Sequence, residues 1–235
     1  MEFMDNRDKI YYYMKRFRLK EFFRPDYYPE YLKYMSLVKF SKGEYIYKQK
    51  ENIQYIYFFV EGRIKVYSLL SNGKRQLLYF YTKFGILGDL ELFNRSNPYT
   101  LIQAAQDSYC IALPLADTKQ LLYDDPIFLR QMAELLAQKL CNSSSNSSLN
   151  IYYSLENRLC AYILASAEKG LENEKEVLIF KEGLSETAEI LGTSYRHLHR
   201  TLKELKEKGI IEKGKGGYRV LDPDQLMRLS SDQYM

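Results

Sequence analysis

The chain has 235 residues, 46% of them apolar and 27% charged, with a formal net charge of +4. That length fits two compact domains or one larger one, and the apolar share excludes a chain without a core. The mild charge excludes a polybasic nucleic-acid coat and leaves room for a local excess at one end.

Residues 1–35 form an N-terminal helical segment, with Ile10, Met14, Phe17 and Phe22 on helical turns broken near Pro25 and Pro29. Residues 36–115 alternate short apolar runs with turn signals. Tyr45-Ile46-Tyr47 and Tyr55 to Val60 read as strands, Glu61-Gly62 as a turn, and Ile64 to Tyr67 as a strand alternating in and out. Asn72-Gly73 is a two-residue hairpin signal, because both central positions favour positive φ, and Leu77 to Tyr81 is the return strand. Many short strands at even spacing point to a small barrel or sandwich.

Residues 116–153 switch to helical period. Asp125-Pro126 opens a helix with Leu129, Met132, Leu136 and Leu140 on one stripe. The polar run Asn142 to Ser148 is either a linker or a helix held by packing. Residues 154–235 begin with a helix from about Leu155 to Glu168 that carries Leu159, Tyr162, Ile163 and Ala167 and ends at Gly170.

The C-terminal part carries the clearest chemistry. Ser185 is a candidate N-cap, with Glu186 and Glu189 in the first turn, where a helix favours anions. Ala188, Ile190 and Leu191 supply a buried side, and Gly192 permits a sharp turn. Thr193 or Ser194 caps a second helix running to Lys208, and Gly209 closes it. Leu198, Leu202 and Leu205 form its buried stripe, which turns Tyr195, Arg196, His199 and Arg200 outward. A helix-turn-helix lays such a second helix in the DNA major groove, where an arginine fork matches guanine O6 and N7. Glu212 to Val220 reads as a two-stranded wing that offers Lys213, Lys215 and Arg219 to phosphates. Between Lys181 and Val220 nine Lys and Arg stand against six Glu, an excess placed where DNA would lie. The DNA-contacting set is therefore Ser194, Tyr195, Arg196, His199, Arg200, Lys213, Lys215 and Arg219.

Other classes find less support. The sequence has no P-loop, no GxSxG, no HExxH and no metal-ligand spacing, and its two histidines both sit on the outward helix, so an enzyme is not expected. Cys110, Cys141 and Cys160 are widely spaced with no CxxC pair. They read as small buried hydrophobes in a reducing compartment, neither disulfides nor metal ligands. No apolar N-terminal segment resembles a signal peptide and no run approaches a membrane span, so a soluble, cytoplasmic protein is expected. The 23 tyrosines read as strand and core residues.

Three runs resemble the CRP/FNR superfamily of transcription regulators, and within it the YeiL-like subgroup. Tyr57 to Tyr67 is similar to the strand-Gly-strand signature of a cyclic-nucleotide-binding-like β-roll, Phe84 to Phe93 to its Gly-rich cassette, and Leu184 to Ile211 to its winged helix. The subgroup likeness lies in Ala188 to Leu198 and Gly217-Tyr218. The resemblance implies an α+β chain: an N-terminal β-roll (jelly-roll) sensor over residues 36–115, a long dimerisation helix, and a C-terminal winged helix-turn-helix over 154–235. It implies a homodimer on a two-fold symmetric operator, with Leu129, Met132, Leu136 and Leu140 as the dimer seam or, failing that, packed on their own β-roll. RNA polymerase is the implied further partner.

The implied ligand pocket comprises Gly88, Asp89, Leu90, Pro98 and Tyr99, and it departs from the cyclic-AMP members. Asp89 stands where they carry Glu, Pro98-Tyr99 where they carry Arg-Ser, and Arg95 lies three positions early. A buried phosphate without a charged partner is costly, so tight cyclic-nucleotide binding is not expected. The N-terminal cysteine cluster of the iron–sulfur members is absent, and no cofactor is expected. On the recognition helix the cyclic-AMP members' Arg, Glu and Arg are matched by Tyr195, Arg196 and Arg200, which implies a different operator. A regulatory module for a partner protein is the alternative; it leaves the winged helix without a task.

Overall fold

The computed structural model describes all residues except 5–6, 49–51, 70–74, 94–99, 173–174, 215 and 231–235. The chain divides into two units: Met1–Tyr67 with Tyr81–Ser143, and Ser68–Phe80 with the chain from Ser144 onward. In chain order the first elements are β1 (Glu2–Met4), α1 (Arg7–Arg16), a 3-10 turn (Leu19–Phe22), α2 (Tyr28–Tyr34), β2 (Ser36–Phe40), β3 (Tyr45–Tyr47), β4 (Tyr55–Glu61) and β5 (Ile64–Leu69). There follow β6 (Arg75–Tyr81), β7 (Gly85–Leu87), α3 (Asp89–Phe93), β8 (Thr100–Ala104), β9 (Ser108–Pro114), α4 (Leu115–Tyr123) and α5 (Pro126–Tyr152).

Two sheets make the β-roll, an antiparallel one ordered β1-β2-β9-β4-β7 and another ordered β3-β8-β5-β6, in which β3 and β8 run antiparallel. The middle of β4 is apolar at every position because both its faces are covered. Ile56, Phe58 and Val60 join Leu37, Ile111 and Leu113 in a core roofed by Ile10, Tyr13 and Met14 of α1, Leu19, Tyr31, Leu122 and Phe128. Tyr57 turns the other way, against the rings of Phe40 and Tyr47. Burial at roughly 25 cal/mol per Å² of apolar surface makes this double coverage the main stabiliser of the roll.

The N-terminal segment is fastened to the long helix by one carboxylate. Asp125, fully buried, caps α5 by accepting from the N–H groups of Ile127 and Phe128 at 3.0 Å. Its other oxygen accepts from Arg24 N at 2.9 Å and from the Tyr31 hydroxyl at 3.4 Å.

Several expectations need correction. Pro29 does not break a helix; it sits in the first turn of α2, where its missing N–H is harmless. Ile64 to Tyr67 do not alternate between inside and outside, since all four are buried. Of the two readings of Asn142–Ser148, linker or helix, the structure shows the helix: the run continues the backbone of α5. Phe128, Met132, Leu135 and Lys139 lie on one face of α5, and Met132 is fully buried in the roll's own core. Met132 and the half-buried Leu129 thereby pack on their own domain, whereas Leu136 is half-buried outside that cluster and Leu140 is 71% exposed. Cys110 and Cys160 are buried, but Cys141 is exposed on α5. Burial drives the Cys110 thiol well above the usual range and pushes Cys160 up to about 12, so both are inert. The Asn72-Gly73 turn lies outside the described residues.

The second unit contains α6 (Leu155–Ser166), β10 (Glu168–Glu172), β11 (Lys175–Phe180), α7 (Leu184–Ile190), α8 (Tyr195–Glu207), β12 (Ile211–Gly214), β13 (Gly217–Val220) and α9 (Pro223–Leu229). Helix α6 stops at Ser166, and Gly170 does not end it: that glycine pairs with Val177 inside the β10–β11 hairpin. The sheet order is β10-β11-β13-β12, so the last hairpin is backed by another.

Candidate nucleic-acid interface

Helices α7 and α8 close with the same device. The N–H of Thr193 bonds Ala188 O at 2.9 Å and that of Gly192 bonds Glu189 O at 3.1 Å; Ile210 and Gly209 repeat the pattern onto Leu205 O and Lys206 O at 3.0 Å. These are Schellman motifs, which need a left-handed residue just past the cap; Gly192 and Gly209 supply φ of +61° and +71°. The chain therefore turns sharply at a fixed place and α8 starts in a fixed direction. Ser194 caps it, its Oγ accepting from His197 N at 3.2 Å. Ser185 is not a cap, since α7 begins at Leu184 with Gly183 as its N-cap.

The inner face of α8 holds Leu198, Thr201, Leu202 and Leu205, all buried. The outer face presents Tyr195, Arg196, His199 and Arg200, all exposed. The Tyr195 and His199 rings stack at 6.3 Å and 25°, one helical turn apart. Arg200 Nε lies 3.7 Å from Glu204, an exposed pair of little energetic weight. The guanidinium is thus oriented and remains available.

Two supports were not expected from the sequence. Arg158 of α6 donates to Leu191 O at 2.6 Å, satisfying a carbonyl at the end of α7. Glu189 is at the end of α7 and not in its first turn, and it takes the backbone N and guanidinium of Arg75 at 3.2–3.5 Å. In the wing, Glu212 faces Arg219 across β12 and β13, and the two form an ion pair. Arg219 is therefore held by a carboxylate and is not presented to solvent as an unengaged cation. Lys213 is exposed; Lys215 lies outside the described residues.

The cassette is built differently. Gly88 takes φ of +89°, and a Cβ there would come within 2.7 Å of the Tyr47 hydroxyl. That hydroxyl donates to Tyr55 O and reaches Leu87 O at 3.5 Å, so the Tyr47 side chain fills the space beside Gly88. Asp89 is buried and accepts from Lys139 Nζ at 2.6 Å. Glu91, two residues on, has its carboxyl raised by burial, with the Asp89 charge adding to the effect. Leu90 is 51% exposed and faces solvent, a correction to its expected role in a pocket. Pro98, Tyr99 and Arg95 lie outside the described residues.

Residues 37–125 match the cyclic nucleotide-binding domain model and residues 157–229 the Crp-like helix-turn-helix domain model. The regulatory protein YeiL of Escherichia coli O157:H7 is 31% identical over 194 residues, which span 83% of this chain and 85% of that protein. The chain belongs to the CRP/FNR family of transcription regulators. Two solved CRP/FNR structures share its fold. One from Thermus thermophilus has a TM-score of 0.66 at 23% identity and covers 84% of this chain and 99% of its own. One from Eubacterium rectale has a TM-score of 0.73 at 16% identity and covers 88% and 94%.

For this CRP/FNR protein the structure brings Ser194, Tyr195, Arg196, His199 and Arg200 together on one end and face of α8, with Lys213 on the wing strand β12. Among the described residues no helix is long and apolar enough to cross a membrane, and no group of His, Cys, Asp and Glu could hold a metal ion.

Proposed function

We propose that this regulator binds a two-fold symmetric operator as a homodimer, reading bases with Tyr195, Arg196, His199 and Arg200 and touching phosphates with Ser194, Lys213, Lys215 and Arg219. The reading places the protein in the cytoplasm, where it recruits or blocks RNA polymerase. The observation that carries it is the division of α8: one face fully buried, the other bearing two guanidinium groups and a Tyr–His stack. Exposed Leu140 and half-buried Leu136 on α5 support dimerisation, because a partner helix would cover them. At 27 residues α5 is roughly 40 Å long, enough for an extended seam.

Selecting bound duplexes from a random pool tests this reading. The expected product is an inverted repeat with half-sites about one helical turn apart; a pool with no common motif would refute it. On the selected duplex, Arg200→Ala is expected to weaken binding by about 1–3 kcal/mol and to relax preference at one base pair per half-site. An unchanged gel-shift midpoint would remove Arg200 from the reading set.

The roll's ligand preference is part of the same proposal. Asp89 stands at the sequence position where the cyclic-AMP members carry Glu, and here it is committed to Lys139, while Tyr47 occupies the space beside Gly88. Neither arrangement suits a cyclic nucleotide. Isothermal titration with cyclic AMP and cyclic GMP is expected to show no sub-micromolar binding; such binding by either nucleotide contradicts the proposal.

A further inference from the structure

Lys139 sits where α5 passes the cassette. Its Nζ donates to Asp89 Oδ2 at 2.6 Å and to Ile86 O at 2.9 Å, and it lies 5.5 Å from the centre of the Tyr81 ring. An ammonium has three N–H donors and no acceptor. Two are taken by oxygens, one of them charged, and an aromatic face stands within cation–π reach. The Asp89 side chain is only 4% exposed, and that of Lys139 only 23%. A carboxylate at that depth is tolerable only while its counter-charge is in place. The next acid, Glu91, also feels Lys139, which counteracts the rise of its carboxyl.

The position on the helix matters as much as the contacts. Phe128, Met132, Leu135 and Lys139 follow one another at i, i+4, i+7 and i+11, so the ammonium continues the stripe that packs α5 on the roll. Leu136 and Leu140 lie on the neighbouring stripe. Anchoring Lys139 therefore sets the rotation and height at which α5 presents those leucines.

We propose that Lys139 is a built-in occupant of the cassette: an ammonium group supplied by the long helix takes the place of a diffusible effector and holds α5 in its DNA-binding setting. DNA binding then needs no small molecule. The inference rests on the operator-binding dimer proposed above.

The test uses the full-length protein, the selected duplex and a buffer free of nucleotides. Wild type is expected to bind. Lys139→Ala is expected to bind about tenfold more weakly, an ordinary size for coupled sites, and to exchange its amide hydrogens faster over residues 85–93. Ethylammonium chloride should restore both properties in Lys139→Ala, whereas sodium chloride at equal ionic strength should not. Asp89→Asn, which keeps the shape and removes the charge, should show the same losses and no recovery with ethylammonium. Lys139→Ala binding like wild type overturns the inference, as does recovery that sodium chloride reproduces. Failure of wild type to bind any duplex overturns the operator reading instead. The exchange over 85–93 then still decides the slot, for or against, without DNA.

Discussion

Above about pH 10 the N-terminal unit is expected to unfold within roughly two pH units, because ionised phenols cannot be housed in its core. Tyr13, Tyr31, Tyr47 and Tyr57 are each at most 7% exposed, and burial raises all four hydroxyls above the ordinary phenol range. Secondary causes push the same way: Glu61 beside Tyr13, Asp125 beside Tyr31, Tyr57 beside Tyr47 and Cys110 beside Tyr57. The folded-state values are raised, so the stability they contribute is complete below the unfolded value near 10 and is lost as pH climbs from there toward the folded values. Each group costs about 1.4 kcal/mol per pH unit over that window, and four together about 5.6. Two such units remove about 11 kcal/mol, comparable to a whole domain's stability of about 5–15 kcal/mol. Circular dichroism and phenolate absorbance followed against pH check this. The two signals should change together for these tyrosines; full phenolate absorbance near pH 10 with intact ellipticity would contradict it.

Leu202→Ala is expected to cost about 2–5 kcal/mol of stability in the C-terminal unit, the usual range for emptying a buried leucine site. Leu202 is 1% exposed and lies between Leu198 and Leu205 on the face of α8 that packs against α6, α7 and β12. Its loss leaves a cavity under the reading face and lowers DNA binding through the population of folded unit. Arg200→Ala, two residues earlier, is expected to leave the urea midpoint unchanged, since its guanidinium makes an exposed pair with Glu204. Urea melts of the two variants separate the roles. A Leu202→Ala midpoint equal to wild type would mean that the inner stripe does not hold the unit together.

The parts of the fold that are readable share a physical signature. Helix α8 shows a clean apolar stripe, with Gly192 in the turn before it and Gly209 just past its end, and both glycines meet a backbone need that the sequence can announce. The continuous run in β4 announces burial on two faces. Lys65 misleads because a lysine in a strand reads as an outward position, yet it is 4% exposed. Gly170 misleads because a glycine after a helix reads as its stop, and the strand pair beginning at Glu168 carries charges at both ends. On α5 two apolar stripes run side by side, about 100° apart per residue of offset. Periodicity finds both and cannot assign one to the chain's own core, so it groups Met132 with Leu140. The Lys139–Asp89 pair joins residues fifty positions apart, and no local pattern encodes such a meeting.

The wing's support from β11 and the bond from Arg158 to Leu191 O bear on protein engineering. A graft that moves only α7, α8 and the wing into another scaffold leaves behind both the strand that fixes the wing and the arginine that seals the turn. It also leaves Asn157, whose side-chain amide holds the end of α9 through Leu229 O at 2.7 Å. A piece that begins at the Ser154 cap of α6 keeps these three supports and leaves behind Arg75, the partner of Glu189. A chimera joined there exchanges operator preference as one piece, whereas one joined at Leu184 inherits the letters of the recognition helix without its mounting.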